Sequence, residues 1–192
     1  REVRKKHDMP IIMLTAKDSE MKEDPKMWNL MGDIYSSYLE LDYKNSLLDE
    51  NYKPQYLQEA NKAYMAYNQA YAVADKGRDQ DDALSGMAGL IQSMSNSGIT
   101  VLQAGDPMGA YNIFRNVLDI HNRLLEHGKD SPLKDSEAYN NQLFLTGYAA
   151  LLGEQYELAK PYYEELKAND YDDPSLYEGL FQIEMQEDPE AA

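Results

Sequence analysis

The chain has 192 residues, with 18 basic against 34 acidic side chains, a formal net charge of −16 and no cysteine. This length suits one domain or one short repeat array, and the lack of cysteine excludes disulfide scaffolds, thiolate zinc sites and cysteine nucleophiles. The negative charge would repel phosphate backbones and anionic lipid, so nucleic acid and membrane surfaces are not expected partners. No apolar run approaches the roughly 18 residues that a membrane-spanning helix needs.

Helix signals run along the chain in order. Asp-Pro pairs predict helix starts, because Asp can cap free N–H groups and Pro at the first helical position lacks one. These pairs begin at Asp24, Asp106, Asp173 and Asp188. Gly77 and Gly128 predict helix ends, since glycine readily adopts the left-handed conformation that follows a helix. Apolar residues between these marks step by threes and fours, which is typical of helices, and no strand-like alternation is sustained. The sequence predicts eight helices, at 8–22, 25–47, 55–76, 80–104, 107–127, 135–152, 156–168 and 174–186.

Small residues recur at a fixed spacing. Three Gly/Ala pairs are twelve residues apart, with the glycine late in one predicted helix and the alanine early in the next. The pairs are Gly98 with Ala110, Gly147 with Ala159, and Gly179 with Ala191. The spacing predicts that each pair lies where two antiparallel helices cross closely. An aromatic residue follows the first two alanines by four positions, as Phe114 and Tyr163.

These residues resemble the tetratricopeptide repeat, a helix–turn–helix unit of about 34 residues. The first unit carries the signature opening as Trp28, Met31, Gly32 and Tyr35. The second carries Met94, Gly98, Val101, Ala110, Phe114 and Val117, and the third Leu143, Gly147, Ala150, Ala159, Tyr163 and Leu166. The chain departs from the pattern at Lys44, where a small residue is usual, so an insertion is expected near Tyr43–Pro54. The resemblance implies an all-α, helix–turn–helix solenoid of about eight antiparallel helices, and an irregular helical array is the alternative.

The resemblance also implies a domain organisation. Units are expected near 25–76, 80–127 and 135–168, with a partial unit at 173–192, and residues 1–24 would form the end of a preceding unit. Because the last unit lacks its second helix, we expect its first helix to leave part of its apolar face uncovered and the native chain to continue past Ala192. The residues expected to be uncovered are Leu176, Leu180 and Ile183.

Catalytic and metal-binding patterns are poor. His7, His121 and His127 lack the spacing of a helical metal site, and His121 lies on an apolar stripe, where packing is expected. Two acidic clusters begin like calcium loops but lack the later ligands, so we interpret them as carboxylates at helix N-termini. They are Asp79, Asp81 and Asp82, followed by Ala83 and Leu84, and Asp170, Asp172 and Asp173, followed by Pro174. No metal, cofactor or enzymatic activity is expected.

The resemblance places the functional surface on a concave groove lined by the first helix of each unit. Inward-facing candidates for partner binding are Asn29, Asp33, Gln92, Asn96, Asn141, Phe144, Tyr148 and Tyr177. Phe144 and Tyr148 have a second interpretation, simple packing against neighbouring helices. Only Lys26 offers a cation on these faces, so the clamp for a terminal carboxylate that some members of the family use is not expected. Amide and aromatic side chains suit a peptide backbone with apolar anchors.

The primary hypothesis is therefore a non-enzymatic interaction scaffold that holds a peptide or partner domain in the groove. The alternative is a helical repeat protein that binds a small ligand or glycan, supported by the Tyr, Asn and Trp content. The absence of cysteine and the acidic balance favour an extracytoplasmic, periplasmic setting over a cytoplasmic one. Oligomeric state is left open by the sequence.

Overall fold

The computed structural model describes residues 23–187, which form seven helices and no strand. The helices are α1 (Pro25–Leu48), α2 (Glu59–Val73), α3 (Arg78–Gln103), α4 (Pro107–Glu126), α5 (Ser136–Leu152), α6 (Tyr156–Ala168) and α7 (Pro174–Glu187). The all-α prediction is confirmed, and the helix predicted at 8–22 lies outside the described residues. Within residues 23–187, no helix combines the length and apolarity needed to cross a bilayer.

The Asp-Pro starts form as predicted. The Asp24 carboxylate accepts a hydrogen bond from the Lys26 N–H at 2.9 Å, and the Asp106 carboxylate accepts one from the Gly109 N–H at 2.8 Å. Asp173 accepts from the Ser175 N–H at 2.9 Å. Each bond satisfies an N–H group that the first turn of a helix leaves without a backbone partner. Asp188 lies outside the described residues.

Four helices end in the same type of turn, in which one residue takes a positive φ and the next N–H reaches back to a carbonyl of the last helical turn. The positive-φ residues are Gly105, Gly128, Glu154 and Asp170. At Gly128, φ is 64° and the following Lys129 N–H bonds the Leu124 carbonyl at 2.8 Å, as predicted for a helix end. The prediction for Gly77 is wrong. The helix before it stops at Val73, and Gly77 precedes α3 with φ 130°, a conformation essentially restricted to glycine.

The helices pack in chain order. Each helix packs against the next, and α1 also contacts α3, α2 contacts α4, and α5 contacts α7. Among the described residues, extensive contacts do not join helices farther apart than this. Such nearest-neighbour packing buries apolar surface by stacking one helical hairpin on another.

We call α1, α3, α5 and α7 the first helices and α2, α4 and α6 the second helices. Aromatic rings of second helices lie against glycines of first helices. The ring of Tyr67 on α2 lies between Gly32 on α1 and Gly86 on α3, where a Cβ added to either glycine would overlap it. The ring of Tyr163 on α6 lies in the same way between Gly147 and Gly179. Because glycine has no side chain, it provides the space that each ring occupies, and the close-packed interior offers no other space for the rings.

The same arrangement refines the predicted Gly/Ala crossing. The atoms nearest to a Cβ at Gly98 belong to the ring of Phe114, and at Gly147 they belong to Tyr163 and Tyr162. Ala110 and Ala159 are fully buried near the start of their helices. The glycine thus accommodates the aromatic ring four residues beyond the alanine, while Ala191 lies outside the described residues.

A ladder of side-chain hydrogen bonds joins α2 to α4. Its rungs are Asn61–Asn116 (3.0 Å), Tyr64–Asp119 (2.5 Å), Asn68–Arg123 and Tyr71–His127 (2.5 Å). The sequence separation within each rung is 55 or 56 residues. Because the separation stays constant as both numbers rise, the two helices run parallel and in register. Arg123 also lies 4.9 Å from the centre of the Tyr71 ring, a cation–π contact.

The expectation that α7 leaves Leu176 and Ile183 partly uncovered is wrong. Both are only 1% exposed, because the face of α7 that also carries Gly179 packs over Tyr163. Leu180 is partly buried, as expected. The exposed apolar side chains of this helix are Tyr177 and Phe181, at 55% and 58%.

Two glycines of α3 allow a direct test of the ring packing. Gly86→Ala should lower the free energy of unfolding by about 1–3 kcal/mol, because the new methyl group meets a Tyr67 ring that Gly32 already confines on its other side. Gly89→Ala is the matched control, since its Cβ would meet no atom within 4 Å. It should raise the stability by about 0.5–1 kcal/mol through helix propensity. Urea unfolding followed by circular dichroism measures both, and effects of the same sign would contradict the packing described.

Candidate binding cleft

A cleft of about 680 Å³ lies between α1 and α3. Tyr67 of α2 and Leu90 of α3 contribute to its inner surface, and Pro54 and Leu57 border it from the connection between α1 and α2. This volume is in the range of ligand-binding clefts, about 300–1,000 Å³. Apolar and polar side chains both line it, as expected for a surface that binds and orients a ligand.

A buried carboxylate holds the connection that forms one border of the cleft. Asp42, on α1, accepts hydrogen bonds from the Tyr52 hydroxyl at 2.7 Å, the Gln55 N–H at 2.9 Å and the Tyr56 N–H at 2.6 Å. A carboxylate that is only 6% exposed requires such donors, because removing its charge from water is otherwise costly. The connection after α1 is therefore a wall tied to that helix, and α1 itself contains residues 43–48, the first part of the insertion predicted near Tyr43–Pro54.

Tyr67 fixes a second carboxylate in the cleft. Its hydroxyl donates to Oδ1 of Asp33 at 2.7 Å and lies 3.4 Å from the Ser36 hydroxyl. Burial, together with the bond to Asp33, raises the pKa of Tyr67 well above its ordinary value of 10.0. The phenol therefore stays protonated at neutral pH and continues to donate, so Asp33 is held as an exposed anion beside the buried ring.

Most hydroxyl groups in the cleft have already used their hydrogen. Five of its seven Ser and Thr side chains donate to a backbone carbonyl one turn earlier in their own helix. They are Ser37 (2.7 Å), Ser46 (2.7 Å), Ser85 (2.8 Å), Ser93 (3.0 Å) and Thr100 (3.1 Å). A hydroxyl bound in this way offers only its oxygen lone pairs to a ligand. The cleft therefore presents mainly hydrogen-bond acceptors.

The charges of the cleft have one sign. Among residues 23–187, its lining contains Asp33, Glu40 and Asp42 and no Lys, Arg or His. Lys44, which is not part of the lining, pairs with Glu40 at 3.2 Å, but both side chains are about two-thirds exposed, and such surface pairs contribute little. The cleft is thus locally acidic as well as rich in acceptors.

The structure brings three of the eight predicted site residues together. Asp33, Gln92 and Asn96 line the cleft, and the Gln92 amide donates to Oδ1 of Asn96 at 3.1 Å. Asn29 does not line it, since its amide donates to the Asp79 carbonyl at 3.1 Å and ties α1 to the first turn of α3. Asp79 itself lies in that first turn, as its interpretation as a helix N-terminal carboxylate requires.

The other four candidates lie outside the cleft. Phe144 is partly buried and its ring stacks on Tyr148, with ring centres 5.7 Å apart and planes 10° from parallel. Phe144 also packs against Tyr163 and Tyr171, at 6.3 and 6.2 Å. Tyr148, on α5, keeps 37% of its surface exposed. Asn141 on α5 and Tyr177 on α7 are also exposed. We call Phe144, Tyr148 and Tyr171 the aromatic platform.

Sequence reasoning missed the role of Asp42, the hydroxyl-bearing face and Glu40. The signal for the hydroxyl groups was present, because Ser93, Ser97 and Thr100 recur at helical spacing on α3. Nothing comparable marked Asp42, whose hydrogen-bond partners lie 10 to 14 residues away in an irregular segment. Among the described residues, no cluster of His, Asp or Glu side chains is arranged to hold a metal ion.

A second concavity of about 380 Å³ contains His121 and lies between α4, α5 and the connection at 127–135. Nδ1 of the buried His121 is 2.7 Å from the Ser131 hydroxyl, which accepts the Leu133 N–H at 3.2 Å. The Tyr139 ring covers the imidazole at 5.0 Å between ring centres. The packing role expected for His121 is confirmed, and the residue also anchors the connection between two helical hairpins.

Comparisons of the chain with protein-family models, curated protein sequences and solved structures returned no match.

The environment of His121 predicts a pH dependence of stability. Burial lowers its pKa below the ordinary value of 6.5, so the unfolded chain binds a proton more readily than the folded chain does. The contribution of His121 to the free energy of unfolding should therefore be highest above about pH 6.5 and fall as the pH drops below it. His121→Gln should reduce this slope, by at most about 1.4 kcal/mol per pH unit, the limit for one proton. Urea unfolding of both proteins between about pH 5 and 8 measures it, because carboxylate titrations common to both cancel. Identical slopes would contradict the prediction.

Proposed function

We propose that this protein is a non-enzymatic interaction scaffold, built as a tetratricopeptide-like array, which binds an extended peptide segment of a partner in the cleft between α1 and α3. The observation that carries the proposal is the cleft itself, whose ordered walls come from two first helices, one second helix and the connection held by Asp42. Hydrogen bonds within the protein already hold the polar side chains of the cleft, so binding a ligand costs little side-chain entropy.

The repeat assignment is supported by packing as well as by sequence. Rings of second helices lie between glycines of the flanking first helices at two places, and α2 and α4 run parallel in register. Both features are expected when similar hairpins stack with a regular rotation. First helices then form one surface of the array, which is where the cleft lies.

A cleft-filling variant tests the proposed binding. Gly89 lines the cleft with open space beside it, and leucine is a good helix former, so Gly89→Leu should occupy the cleft without destabilising α3. We expect selection from a displayed library of random peptides to enrich binders to the immobilised protein. Those binders should lose at least about tenfold in affinity for Gly89→Leu.

Glu164→Gln, on the exposed face of α6, is the control and should bind the same peptides as the unmodified protein. A selection that enriches no peptide, or peptides that bind Gly89→Leu equally well, would contradict binding in this cleft.

The aromatic platform supports glycan binding as a second candidate function. Tyr148 stacks on Phe144 and keeps 37% of its surface exposed, and an exposed aromatic side chain suits the apolar face of a sugar ring. This candidate predicts saturable binding on a glycan array that Tyr148→Ala abolishes and Gly89→Leu leaves unchanged. No signal on the array, or equal signals for the protein and Tyr148→Ala, would exclude it.

A further inference from the structure

We infer that the cleft between α1 and α3 selects an arginine side chain of the bound segment. This inference rests on the proposed function and adds to it the chemical class of the partner. It depends on three properties of the cleft: the hydrogen-bonding character of its polar groups, its charge and the mixture of apolar and polar surface.

The first property is the excess of acceptors over donors. Five of the lining hydroxyl groups donate to helix carbonyls, so their oxygens face the cleft only as acceptors. Asp33 and Glu40 add carboxylate oxygens, which accept only. An arginine guanidinium has five N–H donors and no acceptor, so it complements such a surface more fully than any other side chain.

The second property is charge. The lining has three carboxylates and, within the described residues, no cation. Asp42 is committed to the connection between α1 and α2 by its four hydrogen bonds, whereas Asp33 is exposed and has one donor, the Tyr67 hydroxyl. A hydrogen bond between a guanidinium and a carboxylate is about twice as strong as one between neutral groups. Asp33 is therefore the expected partner of the arginine head.

The third property is the apolar surface beside the carboxylates. Leu39 and Leu90 are buried at the cleft, and Leu57 and Pro54 are partly exposed along its border. The aliphatic part of an arginine side chain packs on such surface while its head reaches polar groups. Tyr43, with 56% of its surface exposed at the rim, offers a ring on which a guanidinium plane can stack.

These properties favour a peptide over a small polyamine. A polyamine supplies ammonium donors but no carbonyl acceptor, so it could not bond the amide N–H groups that remain beside the hydrogen bond between Gln92 and Asn96. A peptide backbone can bond that pair while its arginine occupies the acidic part of the cleft. The occupant is thus an extended segment that carries arginine.

The test uses calorimetric titration of the full chain with the acetylated, amidated peptide Ala-Leu-Arg-Leu-Ala. In a second peptide, citrulline, which has nearly the same shape but no charge, replaces the arginine. We expect the arginine peptide to bind at least about tenfold more tightly, and its affinity to fall as salt is added. Equal affinities for the two peptides would overturn the inference.

Two variants locate the selectivity. Asp33→Asn keeps an acceptor for the Tyr67 hydroxyl but removes the charge, so it should weaken the arginine peptide about tenfold and leave the citrulline peptide unchanged. Glu40→Gln, on the exposed rim, should weaken it less, and Glu164→Gln should have no effect. An unchanged affinity in Asp33→Asn would contradict the role of Asp33, and spermidine binding as tightly as the arginine peptide would contradict a peptide partner.

These outcomes separate the inference from the proposed function. Library peptides that bind the protein and are lost on Gly89→Leu, without preference for arginine, would support the scaffold and refute the selectivity. Failure of every library peptide and of the arginine peptide to bind would refute both.

Discussion

The fold depends on aromatic rings that occupy the space left by missing side chains. Tyr67 and Tyr163 each lie between glycines of two different first helices, so one ring from a second helix packs against both neighbours. Such a ring buries a large apolar area and fixes the spacing of three helices at once. The same ring shapes the candidate cleft, because Tyr67 lies between α1 and α3 and lines the cleft that these helices form.

The preference for tyrosine over phenylalanine is compatible with the acidic composition. The chain has 16 Tyr and 3 Phe, and 34 acidic against 18 basic side chains. Within residues 23–187, tyrosine hydroxyls donate to carboxylates in the pairs Tyr52–Asp42, Tyr64–Asp119, Tyr67–Asp33 and Tyr139–Glu165. Burial, with the bond to Glu165, raises the pKa of Tyr139 to about 12, so this hydroxyl remains a donor throughout the neutral range. Tyrosine thus contributes a ring to the packing and a donor to a carboxylate where lysine and arginine are scarce.

Helices were predictable from the sequence because their signals are local. Asp24, Asp106 and Asp173 cap the helices that they precede, and the capping bond spans only two or three residues. Gly77 misled because glycine serves equally in any positive-φ position, and here it begins α3 after a short link instead of ending α2. The prediction for Leu176 and Ile183 was wrong. It assumed that only a following helix could cover them, whereas the face of α7 that carries them packs over Tyr163 of the preceding hairpin.

The candidate binding surface was predictable only in part because it depends on distant contacts. The resemblance to the repeat family implied inward faces for Asp33, Gln92 and Asn96, and they do line the cleft. The wall around Pro54 could not, because the carboxylate of Asp42 sets its position by bonding an irregular segment up to 14 residues away. The separation of the aromatic platform from the cleft likewise depends on how successive helices pack, since the cleft lies between α1 and α3 and the platform begins on α5.

Two kinds of interaction act on the proposed ligand, and they differ in range. A net charge of −16 attracts any cation from a distance, but salt screens this attraction over about 8–10 Å and it does not distinguish one cation from another. The hydroxyl groups of the cleft act only on contact, and the helix backbone fixes their direction because each has donated its hydrogen to a carbonyl. Their preference for a ligand with several donors is therefore much less sensitive to salt, since it depends on neutral groups held in place by secondary structure. In the proposed complex, selectivity comes from the Asp33 carboxylate together with the fixed hydroxyl oxygens, and the overall charge governs how often a cationic segment arrives.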